Sequence, residues 1–418
     1  MLVIRPFRGI IYNQERIGDV GKVVAPPYDV ISPSDQKEYY QSHPYNIIRI
    51  ILGKEYPGDN DKENKYTRAG RYFREWLSSG ILKRDSHTAI YVYEQEYPFK
   101  GEIRRRRGFI ALMKLEEFGS GVIFPHEETF PQAKLDRLKL LRCCRVNLSP
   151  IFSLYSDPLR LVDRHLEKTA PLFTLRDKDG VRHSLGAIRD DEVIEKIVKV
   201  MRDKRVFIAD GHHRYLTALK FRDEGRIQSG EENFIMMYFL NTEADAVTIL
   251  PVHRVLGNLG VEEVEELKGK LSDFFQMERI DFTPRTEEMG RERMFKRMQE
   301  SEDSFIFGMY CGENKYYLLN LKKSYRQHLE GKVNTAILDE LIKEKILKGK
   351  GQIDFVKDEK KAVDLIKKRK YQVVFFLKPP SLRQIKEISL SGGVMPPKSS
   401  YFYPKLLSGL VMRDLEEI

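Results

Sequence analysis

The stretch RVFIADGHHRYLTAL (205–219) leaves its backbone little choice. A short apolar run of strand type, VFIA, meets Asp210 and Gly211. Helical spacing follows, with Tyr215, Leu216 and Leu219 on an inward face and Gly225 near the end. The junction is a tight strand-to-helix turn, with Asp210 and Gly211 where an N-cap belongs. Gly211 lets backbone approach a ligand closely. A helix start also presents unpaired N–H groups and the positive end of the dipole, a natural seat for phosphate. His212, His213 and Arg214 in the first turn place cationic or potentially cationic groups against that dipole, which costs stability unless an anion sits there. The plain structural reading, in which Asp210 caps the helix and the histidines are solvated, leaves that cost unexplained.

The rest of the chain sets the limits. With 418 residues, 41% hydrophobic and 32% charged, it is long enough for two or three domains with a real core. The net charge of +10 is spread over the whole length, so anionic partners are permitted and none is required. Cys143, Cys144 and Cys311 form no C-x-x-C, which argues against a disulfide framework or a Cys-rich zinc site, and a reducing cytoplasm is the expected location. Arg5 and Arg8 interrupt the first apolar run, so no signal peptide is expected, and no apolar run is long enough to predict a membrane span.

Three regions are expected. Residues 1–118 form an N-terminal α/β region, 119–258 a catalytic core and 259–418 a C-terminal α+β region. Residues 89–115 read as a β-hairpin around PFKGE, with Arg104–Arg107 on its second arm as a solvated strand end. Helices are predicted at AKLDRLKLLRCCRV, DDEVIEKIVKVMRDK, VEEVEELKGKLSDFF and VNTAILDELIKEKIL. Further hairpins are predicted at TLRDKDGVRHSL and SFIFGMYCGENKYYLLNL, and a closing strand and helix at YQVVFFLKPPSLRQIKEISLSG. Helices alternating with strands give an α/β class with mixed, α+β sheets. PPYDV (26–30) is a rigid turn that can equally wall a site or serve structure alone. Lys134 and Arg137 are expected on the wet side of their helix.

GHHRYLTA resembles the G-x-x-R-x-x-A phosphate-binding box of the ParB/sulfiredoxin superfamily. Within it, IADGHHRY most resembles the free-serine kinases. Sulfiredoxins need a cysteine where His212 stands, and ParB proteins usually carry an acidic residue there. VIFPHEETF (122–130) resembles the kinases' P-H-E segment, which implies that Glu127 is the base on a serine hydroxyl. The closing VMPPKSSYFYP resembles their S-P-K-T-T segment, which implies that Lys398, Ser399 and Ser400 bind the substrate end. Here Pro397 follows a proline instead of a serine, and Glu127 and Asp210 lie farther apart in sequence than in the kinases. Across nearly its whole length the chain resembles domain of unknown function family 1015 (DUF1015), through VVAPPYDVIS, HPYNIIRI, HEETF, NLSPIFSLYSD, ADGHHRYLTAL and ILPVHR.

The kinase resemblance implies a ParB/sulfiredoxin-like core that moves a phosphoryl group onto a small hydroxyl, L-serine above all. Phosphoryl transfer needs a proton acceptor, a metal and cations around the moving group. Glu127 is then the acceptor, with His126 orienting it or binding phosphate; its plain alternative is a surface carboxylate near a helix start. Asp210 is the Mg²⁺-linked or substrate-ammonium carboxylate, with helix capping as its plain alternative. Gly211, His212, His213 and Arg214 hold the donor phosphates, with His253 and Arg254 of ILPVHRVL beside them, against the alternative of a strand end. The donor is ATP, ADP or pyrophosphate. A zinc or iron hydrolase built from His126, His212, His213 and His253 is disfavoured: no H-x-x-x-H or H-E-x-x-H occurs, and adjacent helical histidines point about 100° apart. The competing reading from another class is a ParB-like nucleotide switch or DNA-associated regulator. The lack of an evident helix-turn-helix and the dispersed basic charge count against it.

Overall fold

The structure, a computed structural model, describes residues 1–225, 229–244, 246–301, 305–326, 329 and 331–416. They form two compact units. The first comprises residues 1–125, 129–248 and 404–418, and the second 126–128 and 249–403. The chain thus leaves the first unit for three residues at His126 and returns at Thr129. These divisions differ from boundaries at 118 and 258, because the N-terminal hairpin supplies the middle of the first unit's sheet.

That sheet has nine strands. We label them β1 (Ile4–Arg5), β2 (Ile90–Phe99), β3 (Glu102–Lys114), β4 (Ile123–Phe124), β5 (Ile151–Tyr155), β6 (Pro171–Arg176), β7 (Arg182–Ile188), β8 (Val206–Asp210) and β9 (Phe234–Asn241). Their order is β4-β8-β5-β9-β3-β2-β7-β6, with β1 on β3. β8–β4 and β5–β9 are parallel and the remaining pairs antiparallel, a mixed sheet. The β2–β3 hairpin closes where Phe99 pairs with Glu102. Lys100 and Gly101 between them both have positive φ, 51° and 82°, as a two-residue turn matched to strand twist requires. On β3, Arg106 is fully buried, which corrects the solvated expectation for its end of the strand. Its guanidinium bonds Gln95 and the Pro404 carbonyl and lies over the Phe152 ring. Its neighbours Arg105 and Arg107 pair with Glu96 and Glu94 on the opposite face, as the strand's period of two dictates.

Helices α1 (Lys65–Ser78), α2 (Pro131–Cys144), α3 (Asp191–Met201) and α4 (His212–Asp223) also belong to the first unit. Ile194, Ile197 and Met201 of α3 and Tyr215, Ala218 and Leu219 of α4 join the sheet's core, the faces that the helical spacing marks.

The second unit is built on six antiparallel strands: β10 (His253–Gly257), β11 (Phe275–Asp281), β12 (Ile306–Tyr310), β13 (Lys315–Leu321), β14 (Gln352–Val356) and β15 (Val373–Phe376). Their order is β11-β13-β12-β15-β10-β14. β15 reads VVFF, an unbroken apolar run, because both faces of the sheet are covered. Val373 and Phe375 enter one core with Leu267 and Leu271 of α5 (Val261–Phe274). Val374 and Phe376 enter the other, with Met294 and Met298 of α6 (Glu287–Glu300) and Val363 and Ile366 of α7 (Glu359–Lys367). The last helix, α8 (Leu382–Leu390), begins at a Ser381–Gln384 capping box.

Phe375 has no exposed surface in the middle of this sheet. Phe375→Ala is expected to cost about 3–5 kcal/mol. Urea unfolding read by circular dichroism checks this, and an unmoved midpoint would contradict the packing described.

Candidate functional site

The sequence-selected residues fall into one cluster in each unit. In the first, β8 shifts register against β5 between Ile208 and Asp210, a bulge that ends regular pairing at the turn. Asp210 is the last strand residue and Gly211 the N-cap, with φ 101° and no side-chain cap bond. Gly211 rather than Asp210 is thus the N-cap residue. Its Oδ1 accepts from Lys405 Nζ at 2.8 Å, and its Oδ2 from Arg214 Nη2 at 3.4 Å. The first amide of α4 with a helical acceptor is that of Tyr215, which bonds the Gly211 carbonyl at 3.0 Å.

Gly211 is constrained twice. Its φ lies in the left-handed region, and a Cβ there would come within 2.9 Å of the Arg214 guanidinium, which folds back over it. Arg214 Nη1 donates to the Ser149 Oγ at 2.9 Å and to the Pro150 carbonyl at 2.7 Å. The cation thus ties the turn to the NLSP loop, and Asp210 shares its charge. This is how the turn bears an arginine beside the positive end of the α4 dipole. His213 Nε2 accepts the Phe130 N–H at 2.8 Å, so that nitrogen carries a lone pair, not a proton. His212 is buried.

In the second unit, His126–Glu128 runs beside Met395 as a parallel bridge. Met395 N–H donates to the His126 carbonyl at 2.7 Å, and Glu128 N–H to the Met395 carbonyl at 3.0 Å. Glu127 Oε1 accepts the Lys398 backbone N–H at 2.9 Å. Lys398 takes the left-handed conformation, φ 59°. His126, fully buried, meets Ser400 Oγ through Nε2 at 3.0 Å. Four of the residues selected as base and substrate end, His126, Glu127, Lys398 and Ser400, are thus joined. Ser399 is not available to a ligand in the same way: it is buried, its hydroxyl bonded to Thr335 Oγ1 at 2.7 Å and to the Pro396 carbonyl at 2.6 Å.

Residues 4–342 match the family described as protein of unknown function (DUF1015). The chain belongs to the DUF1015 family. No curated protein matches it. Solved structures similar to it include a free serine kinase in complex with AMP, at 15% identity and TM-score 0.37, covering 70% of this chain and 86% of that one. A conserved hypothetical protein from Pyrococcus furiosus matches at 14% identity and TM-score 0.37, over 73% of this chain and 96% of that one. SbnI with a C-terminal truncation, from Staphylococcus aureus, matches at 13% identity and TM-score 0.38, over 72% and 85%.

Two residues expected to bind donor phosphate lie in the core of this DUF1015 chain instead. His253 is 1% exposed and packs on Phe295 and Phe376, with its Nδ1 accepting the Leu377 N–H at 3.3 Å. Arg254, also 1% exposed, bonds the carbonyls of Val252 (3.2 Å) and Lys398 (2.9 Å) and pairs with Asp339 at 3.3 Å. Arg254 therefore braces the Lys398 segment from behind. Arg137, expected on a wet face, is likewise buried: it bonds the Ile51 carbonyl at 2.8 Å and lies over the Tyr28 ring. Lys405, missed in the sequence, lies 195 positions from Asp210 in a segment without charge periodicity to single it out.

Among the described residues no three His, Cys, Asp or Glu side chains gather as a metal site, and no helix is long and apolar enough to cross a membrane. Mg²⁺ carried on phosphates needs only one or two carboxylates, and both Asp210 oxygens already face cations, Lys405 and Arg214, so an ion there would have to displace one of them.

Gly211→Ala is expected to lose about 1–2 kcal/mol from left-handed strain alone. Thermal melting checks it, and an unchanged Tm would contradict the turn geometry. Burial, with Arg254 adding to it, pushes the His253 pKa down to about 3. The unfolded state then binds the extra proton below about pH 6.5, so the stability that neutral His253 contributes is full above that pH and falls toward pH 3. His253→Gln should flatten the stability profile between those limits; a profile as steep as wild type would remove His253 as its source.

Proposed function

We propose that this protein is a phosphotransferase that moves a phosphoryl group from a nucleotide or pyrophosphate to the hydroxyl of a small molecule, with L-serine the preferred acceptor. The observation that carries the reading is the Glu127–Lys398 contact. It joins the PHEET segment to PPKSS across 271 positions, and these are the two segments whose sequences resemble the free-serine kinases' base and substrate end. A carboxylate oriented by a backbone N–H is positioned to act as a proton acceptor.

In this reading Glu127 takes the hydroxyl proton as the acceptor oxygen bonds to the terminal phosphorus. The bond from that phosphorus to the leaving phosphate oxygen breaks, and the electron pair leaves with the shortened donor. Lys398 presents its ammonium to the acceptor's anionic end, and Ser400, bonded to His126, adds a hydroxyl. Arg254 holds the Lys398 carbonyl and acts as a positioning residue. The Asp210–Arg214 turn binds the donor phosphates through the amide end of α4, with Lys405 as a further cation. Asp210 would hold Mg²⁺, which would neutralise charge on those phosphates. The reaction belongs to the cytoplasm, where nucleotides and free amino acids are available.

The test is mass spectrometry of full-length protein incubated with Mg²⁺, L-serine and ATP, ADP or pyrophosphate in turn. Phosphoserine should form with one donor and vanish in Glu127→Gln, while that variant keeps the wild-type Tm. Phosphoserine formed equally by Glu127→Gln would remove Glu127 from the role. Donor hydrolysis with no phosphorylated acceptor would favour the nucleotide switch.

A further inference from the structure

The first unit contains a partly open cavity of about 70 Å³ against the Asp210–Arg214 turn. Its lining includes Tyr28, Asn147, Leu148, Arg214, Ala218 and Ser408. Arg214 is therefore at once a member of the turn and a wall of the cavity. The volume equals on the order of five waters, yet most of the lining is aliphatic and suits a flat apolar ring better than water.

Two polar atoms on the lining, Asn147 Nδ2 and Ser408 Oγ, make no protein hydrogen bond among the described residues. Asn147 is 7% exposed; its Oδ1 accepts the Met236 N–H at 3.2 Å, which fixes the amide orientation and leaves Nδ2 with no hydrogen-bond partner among the described residues. Ser408 is 1% exposed, and its backbone bonds Ala25, but its Oγ has no partner among the described residues. Both atoms are open to the cavity, where a ligand with complementary edges can bond them. A ring with apolar faces, and with acceptors and donors confined to its rim, matches this lining. A bare phosphate or pyrophosphate does not.

We infer that the cavity beside Arg214 receives the nucleobase of the phosphate donor, so the donor is a nucleoside phosphate rather than pyrophosphate. The inference rests on the phosphate reading of the Asp210–Arg214 turn. It also gives the N-terminal stretch a function, since Tyr28 of PPYDV and Ile51 of HPYNIIRI contribute to the wall.

Calorimetric titration of full-length protein with ADP and with pyrophosphate, each with Mg²⁺, tests it. ADP should bind at least about tenfold more tightly than pyrophosphate. Ala218→Leu, which fills the cavity, should weaken ADP about tenfold or more and leave pyrophosphate within about twofold. Ser408→Ala removes only a hydroxyl without a protein partner, so it keeps the fold and should weaken ADP alone, by about threefold. It decides the matter if Ala218→Leu does not fold. Equal wild-type affinities for ADP and pyrophosphate, or ADP binding unchanged in Ser408→Ala, would overturn the base site and leave the phosphate turn standing. Failure of wild-type protein to bind either ligand would overturn both.

Discussion

The Arg214 guanidinium, folded over Gly211, is the contact on which the first cluster depends. It fills the space a side chain at Gly211 would need, reaches Ser149 and Pro150 in the NLSP loop, and shares Asp210 with Lys405. Strand β8, helix α4 and the loop before β5 are therefore tied through one planar cation. Arginine suits this place because its fork of donors is fixed, so several carbonyl and carboxylate oxygens are satisfied with little loss of side-chain freedom. A lysine would supply charge there without the geometry.

The second cluster follows the same logic with backbone in place of a cation. The Lys398 N–H fixes Glu127, and the left-handed Lys398 is in turn held by Arg254 through its carbonyl. The cost of burying Arg254 is offset in part by Asp339, two carbonyls and the Phe355 ring beneath its guanidinium, while its Nη2 has no hydrogen-bond partner among the described residues. A residue that looks like a ligand for phosphate in the sequence thus acts one layer behind the groups that could meet a substrate.

Local sequence carried the elements well and the burial of charge poorly. VFIAD followed by Gly211 defined β8 and α4 because a strand-type run and a helical face cannot share one backbone conformation across that junction. VVFF in β15 was equally legible. Glu127, Lys398 and Ser400 were singled out by segment resemblance, and the contact between Glu127 and Lys398 is long-range pairing that periodicity could not show. Arg106, Arg137, His253 and Arg254 were misplaced for one shared reason. Each is buried by chain remote in sequence, Pro404 over Arg106, Ile51 at Arg137, Leu377 at His253 and Asp339 at Arg254, and a polar residue's own neighbours do not announce such a partner. Lys405 escaped notice for the same reason.

The proposed transfer depends most directly on where the donor's phosphates bind. A crystal structure of the full-length protein with ADP and Mg²⁺ measures this. Phosphate oxygens on the amide end of α4 beside Gly211, with Lys405 within bonding reach of them, are the required result. Phosphates bound elsewhere, with the Asp210–Lys405 pair unchanged and nothing on the turn, would contradict it.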